Sequence, residues 1–276
     1  MEARLATTIS AAMTDVGRAR TVNEDSVIAH APVFIVADGM GGHEAGDAAS
    51  RIVAQEMSQL VGLEPVTVEA VKERIQAARE RIQALDTDVD RAAGTTISGV
   101  VVVNQNGQPY WLVVNLGDSR TYRFNGNVLE QLSVDHSEVQ EMVESGRISA
   151  EQARHHPRRH VVTRALGAGV RCEPDYWLVP IEERDRILVC SDGLTGEVPD
   201  QRIATLLREH PDPGEATDAL VAEALRSGGN DNVSVIVVDA SQVAGAADPT
   251  VPIDRVSIPD EDTIPRPLIL PGGLPK

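Results

Sequence analysis

The chain is short of sulfur and of lysine. Its 276 residues include two cysteines, Cys172 and Cys190, and two lysines, Lys72 and Lys276. The cysteines show no metal-ligand spacing and no disulfide framework. Cys190 lies in the apolar run "RILVCS" and reads as a small core residue. With so little lysine, the glycine-rich stretch "DGMGGHEAG" cannot be a Walker phosphate loop, which needs a lysine after glycine. The same stretch does not complete G-x-G-x-x-G, because Glu44 stands where the last glycine should be. His-Glu-x-x-His and G-x-S-x-G are both absent. Positive charge as a whole is scarce. A formal net charge of -17 makes nucleic acid and anionic membrane unfavourable partners. No apolar run approaches the ~20 residues of a membrane span. The N-terminus has no basic-then-apolar leader, so a reducing, cytoplasmic setting is expected.

What is present is enough apolar residue, 42%, for one sizeable core or two small ones. Short strand-like runs recur at 26–30, 33–37, 95–103, 110–117, 121–124, 128–132, 175–180, 186–191 and 233–239. Asn106-Gly107 and Asn125-Gly126 each separate two of them and signal hairpins. Apolar stripes at helical spacing run from Ala49 to Leu60 and from Val68 to Leu85, with two more near 201–208 and 214–226. Antiparallel strands interrupted by pairs of helices predict an α+β fold with helix layers outside the sheets. Segment 137–160 is polar and broken, and reads as a flap. From 241 to 276 the chain is rich in proline and acid without periodicity, and reads as a disordered tail behind a domain of residues 1–240.

Several acids stand at strand ends. Asp38 follows "VFIVA", Asp118 follows "YWLVVNLG", Asp192 follows "RILVCS", Asp231 precedes "VSVIVVD", and Glu24 and Asp25 precede "SVIAH". Any one Asp-Gly pair is more often a turn than a ligand. Converging carboxylates, however, repel unless cations neutralise them, and hard oxygen donors suit Mg²⁺ or Mn²⁺ better than zinc. Glycine after Asp38 would let a main-chain carbonyl approach an ion.

The stretches "RARTVNEDS", "VADGMGGHEAG", "GTT", "LGDSRTYR", "VDHS", "TRALG", "CSDGLTGEV" and "GGNDNVSVIVV" occur in that order. Together, over about residues 5–240, they resemble the successive motifs of the metal-dependent protein phosphatase 2C family in its bacterial form. The resemblance implies two packed antiparallel β-sheets flanked by helix pairs, a four-layer sandwich. It implies two Mn²⁺ or Mg²⁺ ions bridged by Asp38, with the Gly39 carbonyl, Asp192 and Asp231 as further ligands. Glu24 would support the second ion, and Asp118 a third, weaker site. Arg20 would clamp the substrate phosphate, its planar donor fork matching two phosphate oxygens. The implied reaction is hydrolysis of phosphoserine and phosphothreonine by a metal-bridging hydroxide, opposing a serine/threonine protein kinase. The expected form is a monomer whose partners are phosphorylated proteins.

His43 is the candidate general acid, with a surface or capping histidine as the alternative. "RHHPRRH", residues 154–160, is the one dense basic cluster. It is either a solvated loop or a docking surface for acidic phosphopeptides. Thr250 and Thr263, preceded by acids, resemble kinase sites, while a plain linker is the alternative. Two other functions stay open at this point: a catalytically dead phosphoprotein-binding module, and an enzyme acting on phosphotyrosine or a phosphorylated metabolite.

Overall fold

The computed structural model describes residues 6–41, 43–85, 93–168, 173–243 and 256–257, with only the backbone of His43, Glu44, Gln242, Val256 and Ser257. The first strand, β1 (Ala6–Asp15), pairs along its length with β11 (Val233–Val243). Beyond β11 the first sheet continues through β10 (Arg186–Cys190), β7 (Arg120–Asn125) and β8 (Val128–Gln131), every pairing antiparallel. The second sheet runs β12 (Val256–Ser257), β9 (Asp175–Pro180), β6 (Gln108–Leu116), β5 (Ile97–Gln105), β3 (Val33–Met40), β2 (Asp25–His30), also antiparallel, with β4 (Gly94–Thr95) paired to the end of β3.

Alternation along each strand builds the layers. On β3, Val33, Ile35 and Ala37 face a core shared with α1 (His43–Ser58) and α2 (Val68–Gln83). Phe34 and Val36 face the other way, into the space between the sheets, where Phe34 meets Trp111 edge to face at 6.3 Å. On β10, Leu188 and Cys190 face α5 (Asp192–Thr195), α6 (Asp200–Glu209) and α7 (Pro213–Ser227), while Ile187 and Val189 turn inward. Central strands buried on both faces have no polar side to show, so they read as unbroken apolar runs. The result is the expected four layers, helices outside two packed sheets. Cys190 is fully buried, and that burial pushes its thiol pKa up. Cys172 lies outside the described residues.

Three details differ from the sequence reading. The hairpin loop between β7 and β8 is Gly126-Asn127, both at positive φ, one residue later than the signal placed it. The β5–β6 loop is Asn106-Gly107 as expected, and positive φ at both positions matches the twist of the strands it joins. Residues 137–160 hold two short helices, α3 (Glu138–Glu144) and α4 (Ala150–Arg154), capped by Ser137 and Ser149. Past the boundary drawn at 240, β11 runs on to Val243, and Val256–Ser257 pair with Leu178 and Trp177 of β9.

Candidate functional site

The acids read from the sequence gather at one end of the two sheets. Asp25 and Asp38 are direct cross-strand partners on β2 and β3. The backbone of Asp38 is fixed from the third strand over. Its N–H donates to Thr96 Oγ1 at 3.0 Å, and its carbonyl accepts from Thr96 N at 2.8 Å and Thr95 Oγ1 at 2.9 Å. That is the structural use of "GTT". Thr96 Oγ1 also meets Ser119 Oγ at 2.8 Å, which ties this frame to the loop carrying Asp118. From the other sheet, Asp192 starts the helical turn after β10, and Asp231 stands two residues before β11.

Asn232 joins the sheets across this end. It is 5% exposed, and its Nδ2 donates to the carbonyls of Val16 and Val22 at 3.0 and 2.9 Å. Its Oδ1 accepts from Glu24 N at 2.9 Å. The loop bearing Arg18 and Arg20 is thereby stitched to the strand bearing Asp231.

Glycine beside aspartate has a reason the sequence reading did not supply. A Cβ on Gly39 would lie 2.3 Å from Gly46 O and 2.7 Å from Glu24 O, and one on Gly193 would lie 2.0 Å from Asn232 O. Both positions are glycine because another main chain passes through the space a side chain would need.

The charge is concentrated. Burial pushes the Asp38 carboxyl well above the usual carboxylate range, and Asp25, Asp192, Asp118 and Asp231 push it further. Asp118 is raised well up by burial and then by Asp192 and Asp135. Burial, followed by the charges of Asp192 and Asp231, brings Asp25 up to about 7. Ser191 and Ser234 stand near enough to temper that rise, yet neither reaches hydrogen-bond geometry. Both carboxyl oxygens of Asp25 are buried without a partner among the described residues.

Two basic side chains sit on this array. Arg20 Nη2 donates to Asp231 Oδ2 at 2.8 Å, and that hydrogen bond raises the guanidinium pKa. His160, on the flap, places Nδ1 3.3 Å from Asp192 Oδ2, which raises the imidazole pKa. Among the described residues no three His, Cys, Asp or Glu side chains already stand as a closed ligand cluster.

The donor set is nonetheless all oxygen, crowded and under-neutralised, and it holds an orphaned buried carboxyl. That is the chemistry of a hard divalent-cation site. A cleft lined by Ala6–Thr8, Pro65 and Val102–Asn104 opens at the opposite end of the strands and gathers no such cluster.

The family model of protein phosphatase 2C matches residues 19–233, the span that carries every one of these groups. The chain belongs to the protein phosphatase 2C family. It is 35% identical to the serine/threonine phosphatase stp of Listeria welshimeri over 239 residues, 82% of this chain and 93% of that one. The crystal structure of the Mycobacterium tuberculosis serine/threonine phosphatase PstP superposes with a TM-score of 0.79 at 36% identity, covering 86% of this chain and all of that one. A crystal structure of the PstP catalytic domain in complex with two manganese ions gives a TM-score of 0.77 at 35% identity, with the same coverage.

Within this phosphatase 2C chain the structure brings Arg20, Glu24, Asp38, Gly39, Asp118, Asp192 and Asp231 to one end of the sandwich. His43 opens α1, but its side chain is outside the described residues, as are Thr250 and Thr263. Asp25 was read as one of the strand-end acids without a ligand role of its own, and Asn232 and His160 were not singled out for the site by sequence. For Asp25 the signal was its place directly after Glu24 and opposite Asp38.

His136 was missed as well. It is 5% exposed, and its Nδ1 accepts from Gly117 N at 3.1 Å, which holds the turn leading into Asp118. Its Nε2 lies 3.1 Å from Asp175 Oδ2 and 2.8 Å from Arg164 Nη1. Among the described residues no helix is long and apolar enough to cross a membrane.

Proposed function

We propose that this chain hydrolyses phosphoserine and phosphothreonine in proteins, with two Mn²⁺ or Mg²⁺ ions held by its own carboxylates. The single observation that carries the reading is the meeting of Asp25, Asp38, Asp118, Asp192 and Asp231 from both sheets in one field, with Arg20 at its edge. Asp38, with Asp192, Asp231 and the Gly39 carbonyl, would hold the ions; Glu24 and Asp25 would support them, and Asp118 a third, weaker site. Bound there, the ions supply charge neutralisation for a phosphate dianion and lower the pKa of water.

The remaining work falls to the chain. Thr95 and Thr96 fix the Asp38 main chain, so its carboxylate is presented at a constant angle. Asn232 fixes the Arg20 loop. Arg20, about half exposed beside Asp231, is placed to turn its donor fork to two oxygens of an arriving phosphate. For that, Asp231 gives up Arg20 to substrate and Asp192 gives up His160. His43 is the proposed donor of the proton the leaving serine or threonine oxygen needs. The proposed setting is cytoplasmic, the proposed form a monomer, and the proposed opposing partner a serine/threonine kinase.

The test is a metal series with a phosphothreonine peptide. Turnover that appears with Mn²⁺ or Mg²⁺ and stops with chelator supports the reading. Turnover indifferent to chelator, or restricted to phosphotyrosine, overturns it.

A further inference from the structure

The carboxylate field is flanked by arginine on two sides. Arg20 touches Asp231, and two residues before it Arg18 is exposed, its loop pinned by Arg18 N donating to Gly229 O at 2.7 Å. His160 reaches Asp192, and next to it Arg159 is exposed. Of the other flap arginines, Arg158 Nε is 2.9 Å from Glu138 Oε2, Arg154 Nη2 is 3.7 Å from Asp200 Oδ2, and Arg147 Nε donates to Ser145 Oγ at 2.9 Å. Arg18 and Arg159 make no ion pair among the described residues. In a chain of net charge -17, these two guanidinium groups stand next to the two segments that bear Asp231 and Asp192 and keep their forks for a partner.

We infer that Arg18 and Arg159 form two banks of a peptide track that selects acidic residues on either side of the phosphorylated serine or threonine. The inference rests on the phosphatase reading above and adds a substrate class to it. The phosphate is drawn to Arg20 and the ions. Segments leading away from it cross the site in both directions, one toward Arg18 and the other over the end of the flap at Arg159. Each arginine offers a fork that matches a carboxylate. A neutral flank makes no use of either. A basic flank is repelled by both arginines, so the track excludes as well as selects.

The experiment compares two synthetic phosphothreonine peptides of equal length, one with Asp and Glu on both flanks and one with Ala in those places, on the full chain with Mn²⁺. The wild type is expected to give a kcat/KM about tenfold higher for the acidic peptide, from two partly exposed ion pairs. That ratio should shrink as salt is raised. In an Arg18→Glu, Arg159→Glu double variant the ratio should fall to one or below, whereas Arg18→Lys with Arg159→Lys should keep most of it. Equal rates for both peptides in the wild type, or a ratio untouched by the double reversal, overturns the track. Metal-dependent turnover of neither peptide would instead overturn the phosphatase reading on which it stands.

Discussion

Asp25 and Asp38 face each other as direct partners across β2 and β3, two acids in the place where a ladder ordinarily sets compatible side chains. Like charges so placed destabilise the strand pair unless a proton or a cation lies between them. The native Asp25 carboxyl, brought up to about 7, keeps a proton that an unfolded chain gives up near ~4. Between those values the folded state binds more protons than the unfolded one, so metal-free stability falls as pH rises from about 4 toward about 7. Urea midpoints of chelator-treated protein across that range should show the decline. Added Mn²⁺ should raise the midpoint more at pH 7.5 than at pH 5.5. Asp25→Asn should flatten the pH slope and raise metal-free stability at pH 7.5 by about 1–3 kcal/mol, while weakening Mn²⁺ binding measured by calorimetry.

Asp38→Asn and Asp192→Asn should each lower kcat/KM on a phosphothreonine peptide by about 100-fold or more, the loss of a several-kcal/mol metal contribution. Arg20→Ala should act chiefly on KM, because its proposed contact is with phosphate rather than with the ions. A rate unchanged in Asp38→Asn would remove the metal assignment altogether.

Gly193→Ala and Gly39→Ala should be costly out of proportion to one methyl group. The new Cβ would sit 2.0 Å from Asn232 O in the first and 2.3 Å from Gly46 O in the second. Main chain cannot yield as a side chain does, so losses of about 2–4 kcal/mol are expected, read from denaturant midpoints. A control at Gly107, where nothing lies within 4 Å but φ is +81°, should lose only about 1 kcal/mol.

Asp175 provides a pH dependence of the opposite sign. Burial pushes its carboxyl up, but the hydrogen bond with His136 and the charge of Arg164 outweigh that and hold it below the usual value. A depressed carboxyl stabilises the fold above its unfolded pKa of ~3.9, and the gain disappears as pH falls through the lower, native value. Asp175→Asn should therefore destabilise at pH 6 by about 1–2 kcal/mol and show a shallower loss on acidification below pH 4. Because His136 also holds Gly117, the same change should weaken metal binding associated with Asp118 without abolishing turnover.

How much of this was legible beforehand depended on burial. Strands such as β3, β10 and β11, apolar on both faces, announced themselves. The strand β1 did not: "ATTISAAMTD" is small and half polar, and it becomes a strand only by pairing with β11, more than two hundred residues later. Propensity carries no information about such a partner. The flap helices were legible in principle, since Ser137 and Ser149 each precede a glutamine by three residues in the manner of a capping box, a signal lost beneath the polarity of the segment. The carboxylates proposed to hold metal could be named through family motifs, each intact and in order. The contact of His160 with Asp192 could not, because it joins residues 32 apart through a flap whose placement no local pattern records.

The pairing of β1 with β11 has a consequence for how the molecule comes into being. A ribosome that has released the chain as far as Cys190 has already made Glu24, Asp25, Asp38 and Asp118, but Asn232 and the strand that seats Ala6–Asp15 do not yet exist. Synthesis must run nearly to the end of the sandwich before the first strand finds its neighbour, so the nascent protein carries most of its acids without a cage to misload with cations. Assembly of the site is then a late, single event, closing a segment onto one made more than two hundred residues after it.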